Sequence, residues 1–291
     1  MTSLRILVPV DFSQLSEAAA RHAAALAACL PSTVTFAHVY SPQLFRYVGG
    51  IEGGAYIAQV IPPREDVLAE AHQWLHRLAA GVGLAGASER ILLEGEPAAE
   101  IVRYVRERQI GLVVMPTRGF GPFRRFILGS VAAKVLHDVD CPVFTCPHHA
   151  DLAVQHPQPY RRVACAVDLG PHSLEVLRWA KQFAAVTGAE LAVIFAAPAV
   201  SLSGLDLGVE VRSKILDAVN ANIQQLLAAA GCDAAVYADC AELLEYVPAM
   251  AAQFRADLLV VGRTTKQGFL GRLRSNRSEE HTSELQSRQY L

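Results

Sequence analysis

The chain has 291 residues, of which 52% are hydrophobic and 19% are charged, and 26 basic residues stand against 28 acidic ones. This composition is typical of a globular protein of about two domains, and its near-neutral charge argues against partners such as nucleic acid or an anionic membrane. No apolar run approaches the roughly 18 residues that a membrane span requires, and Asp11 comes too early for a signal peptide. We therefore expect a cytoplasmic protein whose six cysteines are reduced.

The first elements along the chain are an apolar strand that ends in an acid and an alanine-rich helix. Arg5–Val10 precedes Asp11, and residues 13–30 carry the helical pattern. The same order returns in the second half, where Arg162–Val167 precedes Asp168. An internal repeat of this length predicts two similar domains. The later elements repeat at an offset near 150 residues. In the first half, strands are predicted over 34–40, 89–94 and 111–115, with a helix near 64–82. In the second half, strands are predicted over 190–196, 234–238 and 257–261, with helices near 173–187 and 208–230.

Alternating strands and helices with continuous apolar strands predict a parallel sheet that is covered by helices on both faces. A helix over 131–139 and a short strand over 141–146 complete five strands in the first half, and the second half has no counterpart of them. Ligands bind such sheets beyond the carboxyl ends of the strands, where the strand order reverses. Asp11, Val39 and the loop after Met115 all follow predicted strands, so we expect them to meet in one crevice.

The segment from residue 112 to residue 136 is the strongest candidate for binding chemistry. An apolar strand opens into a loop that holds Gly119 and Gly121, and a helix follows with Ser130 as its predicted N-cap. Glycine lets the backbone approach a ligand closely, and the free N–H groups of a helix start attract anions. The pattern favours a phosphate cradle, while an ordinary strand–loop–helix connection remains the alternative.

The last residues, 277–291, do not continue the apolar pattern that precedes them. RSEEHTSELQS resembles the translation of a sequencing-library adapter, so we expect a non-native tail after Asn276, and a genuine polar tail is the alternative. The second domain would then lack its last helix and fifth strand. An uncovered edge at residues 257–261 would favour self-association.

Five motifs together resemble a tandem universal stress protein over residues 3–276. They are VPVDFS at 8–13, the strand ending in His38-Val39, EGEPAAEIV at 94–102, the 112–136 segment and CPV at 141–143. The resemblance implies an α/β fold with two tandem open parallel five-stranded sheets, helices on both faces and the adenine-nucleotide α-hydrolase-like strand order 3-2-1-4-5. It implies domain 1 at 1–147, a linker at 148–160, a degenerate and truncated domain 2 at 161–276, and pairing of the domains through their fifth strands.

Nucleotide-binding members of this family carry Gly, two residues, Gly, nine residues, then Gly-Ser or Gly-Thr. On this chain the positions fall at Pro116, Gly119 and the pair Gly129-Ser130. Proline has no backbone N–H, so any contact from that donor is lost at Pro116. By the same resemblance Pro9, Val10 and Asp11 contact the nucleoside, Val39 and Met115 flank the adenine, and Gly119, Gly129, Ser130 and Val131 hold phosphates. Capping of the following helix is the alternative role for Asp11. The guanidinium groups of Arg118, Arg124 and Arg125 could help to bind a phosphate, or they could lie on a solvated face.

The second half departs further from the motif. Gly262 stands at the first position, but Thr265 replaces the second glycine and Ser275-Asn276 replaces the last pair. Close backbone approach to phosphate is harder without glycine, so we expect this half not to bind ATP in the same manner. It is predicted to be a structural domain that pairs with the first.

The leading hypothesis is a stress-response protein that binds ATP or a related adenine nucleotide, with or without Mg²⁺, in domain 1, and that uses domain 2 as an internal dimer partner. A homodimer is the alternative assembly. The sequence has no GxxxxGK[ST], GxSxG or strand-borne GxGxxG motif. A binding module is therefore favoured over an enzyme, and a slow ATPase with Asp11 on a metal or a nucleotide-free scaffold remain the alternatives.

Overall fold

A computed structural model describes residues 3–41, 64–117, 129–146, 160–197 and 209–262. The chain divides into two compact units, Met1–Gln155 and His156–Leu291. Each unit carries its own parallel sheet with helices packed against it. This arrangement confirms the predicted fold class.

The first unit contains a five-stranded sheet in the order β3-β2-β1-β4-β5, with every neighbouring pair parallel. This is the strand order that the resemblance implies. The strands are β1 (Leu4–Val10), β2 (Ser32–Tyr40), β3 (Ser88–Glu94), β4 (Leu112–Pro116) and β5 (Val143–Cys146), and the helices are α1 (Gln14–Cys29), α2 (Arg64–Gly81), α3 (Pro97–Glu107) and α4 (Ser130–Asp138).

The apolar strands become the centre of the first unit because helices cover them on both faces. Helices α3 and α4 pack together on the face that presents Leu7, Val113 and Met115, and Ile101 and Val135 come from these helices to complete that core. Helix α1 packs against α2 and against the central strands, and its residues take no part in that core. The two helices that follow β1 and β4 therefore lie on opposite faces, which opens a crevice where those strands end.

The second unit contains a four-stranded parallel sheet in the order β8-β7-β6-β9. This order repeats that of the first four strands of the first unit. The strands are β6 (Arg162–Ala166), β7 (Glu190–Ala197), β8 (Ala235–Cys240) and β9 (Leu258–Val261), and the helices are α5 (Ser173–Thr187), α6 (Val209–Ala230) and α7 (Leu243–Gln253). Across the described ranges of both units, no helix is long and apolar enough to cross a membrane.

The internal repeat is also visible in the backbone. Phe12 and Leu169 follow the acids after β1 and β6, and both adopt a positive φ, of 65° and 55°. Gln109 and Arg255 precede β4 and β9 and do the same, at 51° and 56°. Non-glycine residues rarely adopt this conformation, so its recurrence at matching turns supports the interpretation of the chain as a duplicated unit.

Candidate functional site

The turn between β1 and α1 is organised by the carboxylate of Asp11. Its Oδ1 accepts hydrogen bonds from the Ser13 amide at 3.2 Å and from the Ser13 and Ser16 hydroxyls at 2.6 Å each. Ser13 is the N-cap of α1, because its Oγ accepts from the Ser16 amide at 3.2 Å. Ser13 is therefore the capping residue, and Asp11 holds Ser13 in place through hydrogen bonds. Serines two and five residues after the acid are the sequence signal that would have revealed this network.

A histidine and two aromatic rings lie beside this turn. His38 Nδ1 is 2.9 Å from the carbonyl oxygen of Val10, and its ring centroid is 4.1 Å from that of Phe12. Phe12 also meets the edge of Trp74 from α2, at 4.7 Å between centroids. Burial lowers the pKa of His38, against the raising effects of the Val10 bond and the charge of Asp11. The ring is therefore neutral at pH 7.

The residues predicted to flank the adenine belong to one apolar cluster. Met115 is 4% exposed at the end of β4, and Val39 at the end of β2 packs against the same cluster. Val131 from the first turn of α4 also packs there. Three predicted residues that are far apart in the sequence thus share one apolar surface below the strand ends.

The end of β4 and the start of α4 are joined directly. The amide of Gly129 donates to the carbonyl oxygen of Thr117 at 2.9 Å. Pro116, the buried last residue of β4, pairs in register with Cys146 of β5. The hydrogen bond between Gly129 and Thr117 joins the two ends of the loop that contains Gly119 and Gly121. It therefore places the start of α4 beside the end of β4.

Helix α4 begins one residue earlier than predicted. Gly129 is its N-cap, with φ −60° and ψ 147°, and Ser130 is the first helical residue, so the expectation of Ser130 as N-cap is wrong by one position. The reason is that the Thr117 contact fixes Gly129 in an extended conformation at the point where the helix starts. No side chain of the described residues caps this start, and Ser130 is exposed at its first helical position. Uncapped amides at a helix start are a common place for an anion to bind.

The corresponding turn of the second unit is built differently. Asp168 Oδ1 accepts from the Gly170 amide and the Ser173 hydroxyl, both at 2.9 Å. Helix α5 begins at Ser173 after His172, which makes no side-chain capping bond. A Cβ on Gly170 would lie 2.9 Å from Asp168 Oδ1, so glycine permits this tighter turn. The second unit thus retains the acid and one serine but not the Ser13-type cap.

Several predicted residues lie outside the described part of the chain, and the structure gives no account of them. Within the described ranges, no group of three or more His, Cys, Asp or Glu side chains is placed to hold a metal ion. The residues outside are Gly119, Gly121, Arg118, Arg124, Arg125, Thr265, Ser275 and Asn276.

The fold and the site together define a doubly wound α/β protein with two tandem units and a candidate anion site at the strand ends of the first. The family model described as "Universal stress protein family" matches residues 3–147 and 159–280. The chain therefore belongs to the universal stress protein family.

Individual relatives agree with this assignment. A universal stress protein of Methanocaldococcus jannaschii is 32% identical over 141 residues, which cover 48% of this chain and 79% of that protein. Universal stress protein YxiE of Bacillus subtilis is 28% identical over 142 residues, which cover 48% of this chain and 95% of that protein. The crystal structure of a universal stress protein from Archaeoglobus fulgidus covers 98% of this chain and 94% of its own, with a TM-score of 0.66 at 19% identity, and so supports the fold along almost the whole chain.

Proposed function

We propose that the first unit binds ATP or a related adenine nucleotide as a regulatory ligand in a stress-response protein. The observation that carries the proposal is the Thr117–Gly129 hydrogen bond, which sets the uncapped start of α4 beside the end of β4. An anion site of this kind next to an apolar cluster suits a ligand with one planar apolar end and one phosphate end.

The base would lie against the cluster that Val39 and Met115 share. Both side chains are apolar. Val39 contributes a half-buried surface at the end of its strand, and Met115 is almost fully buried. The sugar would then face the β1–α1 turn at Pro9, Val10 and Asp11, because β1 lies between β2 and β4 in the sheet. Base and sugar contacts thus come from three neighbouring strands.

The phosphates would lie at the start of α4. The amides of Ser130 and Val131, together with the partial positive charge of the helix start, favour negative charge there, and the Ser130 hydroxyl is exposed. The family motif adds Gly119 and Gly129 to this set. A Mg²⁺ ion bound to the phosphates of the incoming nucleotide would supply further charge compensation.

Pro116 favours a second candidate function, that of a nucleotide-free scaffold. It stands where the family motif has glycine and it lacks a backbone N–H, so one donor of the motif is missing. If that donor is essential, the first unit would serve only to pair with the second. Under the leading proposal the remaining contacts are sufficient, and the second unit is the internal dimer partner.

Calorimetric titration of Mg-ATP into the full chain tests the proposal. We expect a micromolar dissociation constant and at least a tenfold loss in Gly129→Val. Valine tolerates φ −60° and ψ 147°, so the change adds bulk at the helix start without backbone strain. Gly86→Val is the matched control, because a Cβ there meets no atom within 4 Å.

Two outcomes would replace the proposal with an alternative. A well-folded chain that binds no ATP would favour the scaffold. Phosphate release that Asp11→Asn abolishes would favour the slow ATPase, whereas binding without phosphate release supports the regulatory module.

A further inference from the structure

The peptide group between Val10 and Asp11 is held on both sides by side chains from other elements. The Val10 carbonyl oxygen lies 2.9 Å from Nδ1 of His38 on β2. The Asp11 amide donates to Oγ of Ser16 on α1 at 3.0 Å, and that hydroxyl donates back to the Asp11 carboxylate at 2.6 Å. The orientation of this peptide is therefore fixed by β2 and α1 as well as by β1 itself.

The contact with the carbonyl assigns the tautomer of His38. A carbonyl oxygen only accepts hydrogen bonds, so Nδ1 must carry the proton. Because burial lowers the pKa of the ring, it carries a single proton at pH 7 and Nε2 carries none. Of the two neutral tautomers, only the Nδ1–H form makes this contact.

The His38 ring also supports the residue that follows the peptide. Phe12 adopts a φ of 65°, which is costly for a bulky residue, and the residue is 41% exposed. Packing between the rings of His38 and Trp74 stabilises this conformation. The histidine thus holds both the Val10 carbonyl and the start of the turn.

The second unit lacks this arrangement. Its register pairs Ala166 with Ile194, which places Phe195 beside Val167 where the first unit has His38 beside Val10. A phenyl ring has no donor for the Val167 carbonyl. The histidine contact therefore occurs only in the unit to which the nucleotide is assigned.

We propose that His38 is a positioning residue, which fixes the Val10–Asp11 peptide in the orientation that the sugar side of the nucleotide requires. The inference rests on the proposed function of the first unit. His38 acts through the peptide and need not touch the ligand. One neutral hydrogen bond of this kind corresponds to about a five- to tenfold change in affinity.

Two substitutions separate the hydrogen bond from the volume of the ring. His38→Asn keeps an N–H donor near the position of Nδ1, and His38→Phe introduces the residue of the second unit. Titration of Mg-ATP into the full chain is expected to show His38→Phe weakened about five- to tenfold and His38→Asn within about twofold of the unaltered chain. His76→Phe, at an exposed position on α2, is the control and should bind normally. Unchanged binding by His38→Phe, or equal weakening of both His38 variants, would overturn the proposal.

A measurement without ligand keeps this inference separate from the proposed function. The ¹⁵N shifts of the His38 ring should report the Nδ1–H tautomer at pH 7, and the Asp11 amide should exchange faster in His38→Phe than in His38→Asn. An Nε2–H tautomer would overturn the role of His38 even if ATP binds. Absence of ATP binding by the unaltered chain would instead overturn the proposed function, and the nucleotide-positioning role with it.

Discussion

At the scale of single residues, His22 shows how burial couples stability to pH. This side chain on α1 is fully buried, with its ring 5.6 Å from that of Phe144. Burial, followed by the charge of Arg21, lowers its pKa from 6.5 to about 4. The folded chain therefore takes up the proton at lower pH than the unfolded chain, and the stabilisation that neutral His22 provides is complete above pH 6.5 and lost as the pH falls toward 4.

This shift predicts a specific pH dependence of unfolding. Between pH 7 and pH 4.5 the free energy of unfolding of the first unit should fall by about 2 kcal/mol more in the unaltered chain than in His22→Leu. Urea titrations in a Trp179→Phe background would measure this, because Trp74 is then the remaining tryptophan of the two in the sequence. Equal pH dependence in both proteins would show that His22 does not titrate with a lowered pKa.

At the scale of elements, the start of α1 depends on Ser13. Its hydroxyl accepts from the Ser16 amide and donates to Asp11, so Ser13→Ala removes the cap and one donor to the carboxylate. We expect a loss of about 1 kcal/mol in the free energy of unfolding, measured by urea titration, with Ser13→Thr close to the unaltered chain because it keeps the hydroxyl. A Ser13→Ala variant as stable as the unaltered chain would contradict the capping role.

The elements themselves could be predicted from local patterns. Continuous apolar runs gave the strands, and alternation with helices gave the parallel sheets, since buried parallel strands are apolar on both faces. The order 3-2-1-4-5 followed from the family resemblance. The start of α4 was misplaced by one residue, because Ser130 has the favoured capping side chain while the Thr117 contact makes Gly129 the N-cap.

The interactions around the site were harder to predict because they join distant residues. The bond from His38 to Val10 spans 28 positions, and nothing in the local sequence of either residue indicates it. The positive φ of Phe12 is stabilised by rings from β2 and α2. The sequence could identify Val39 and Met115 as strand-end residues, but only the sheet shows that they share one cluster with Val131.

At the scale of the whole molecule, the two units share a strand order and differ in their strand-end chemistry. The first has the Ser13 cap, the His38 contact and the joined Thr117–Gly129 pair. In the second unit, the Gly170 amide binds the acid where the first unit has the Ser13 amide, and Phe195 stands where the first unit has His38. The shared strand order and the matching positive-φ residues indicate a duplicated unit whose two copies differ at these turns. Under the proposed function, each chain has one nucleotide site, which lies in the first unit.

Amide chemical-shift mapping of the ¹⁵N-labelled full chain during titration with Mg-ATP tests this claim most directly. We predict the largest shifts at Asp11, Val39, Ser130 and Val131, where three strand ends and the start of α4 meet. Residues 162–262 should show no comparable change. Largest shifts within 162–262, or no shifts at saturating nucleotide, would contradict the assignment of the site to the first unit.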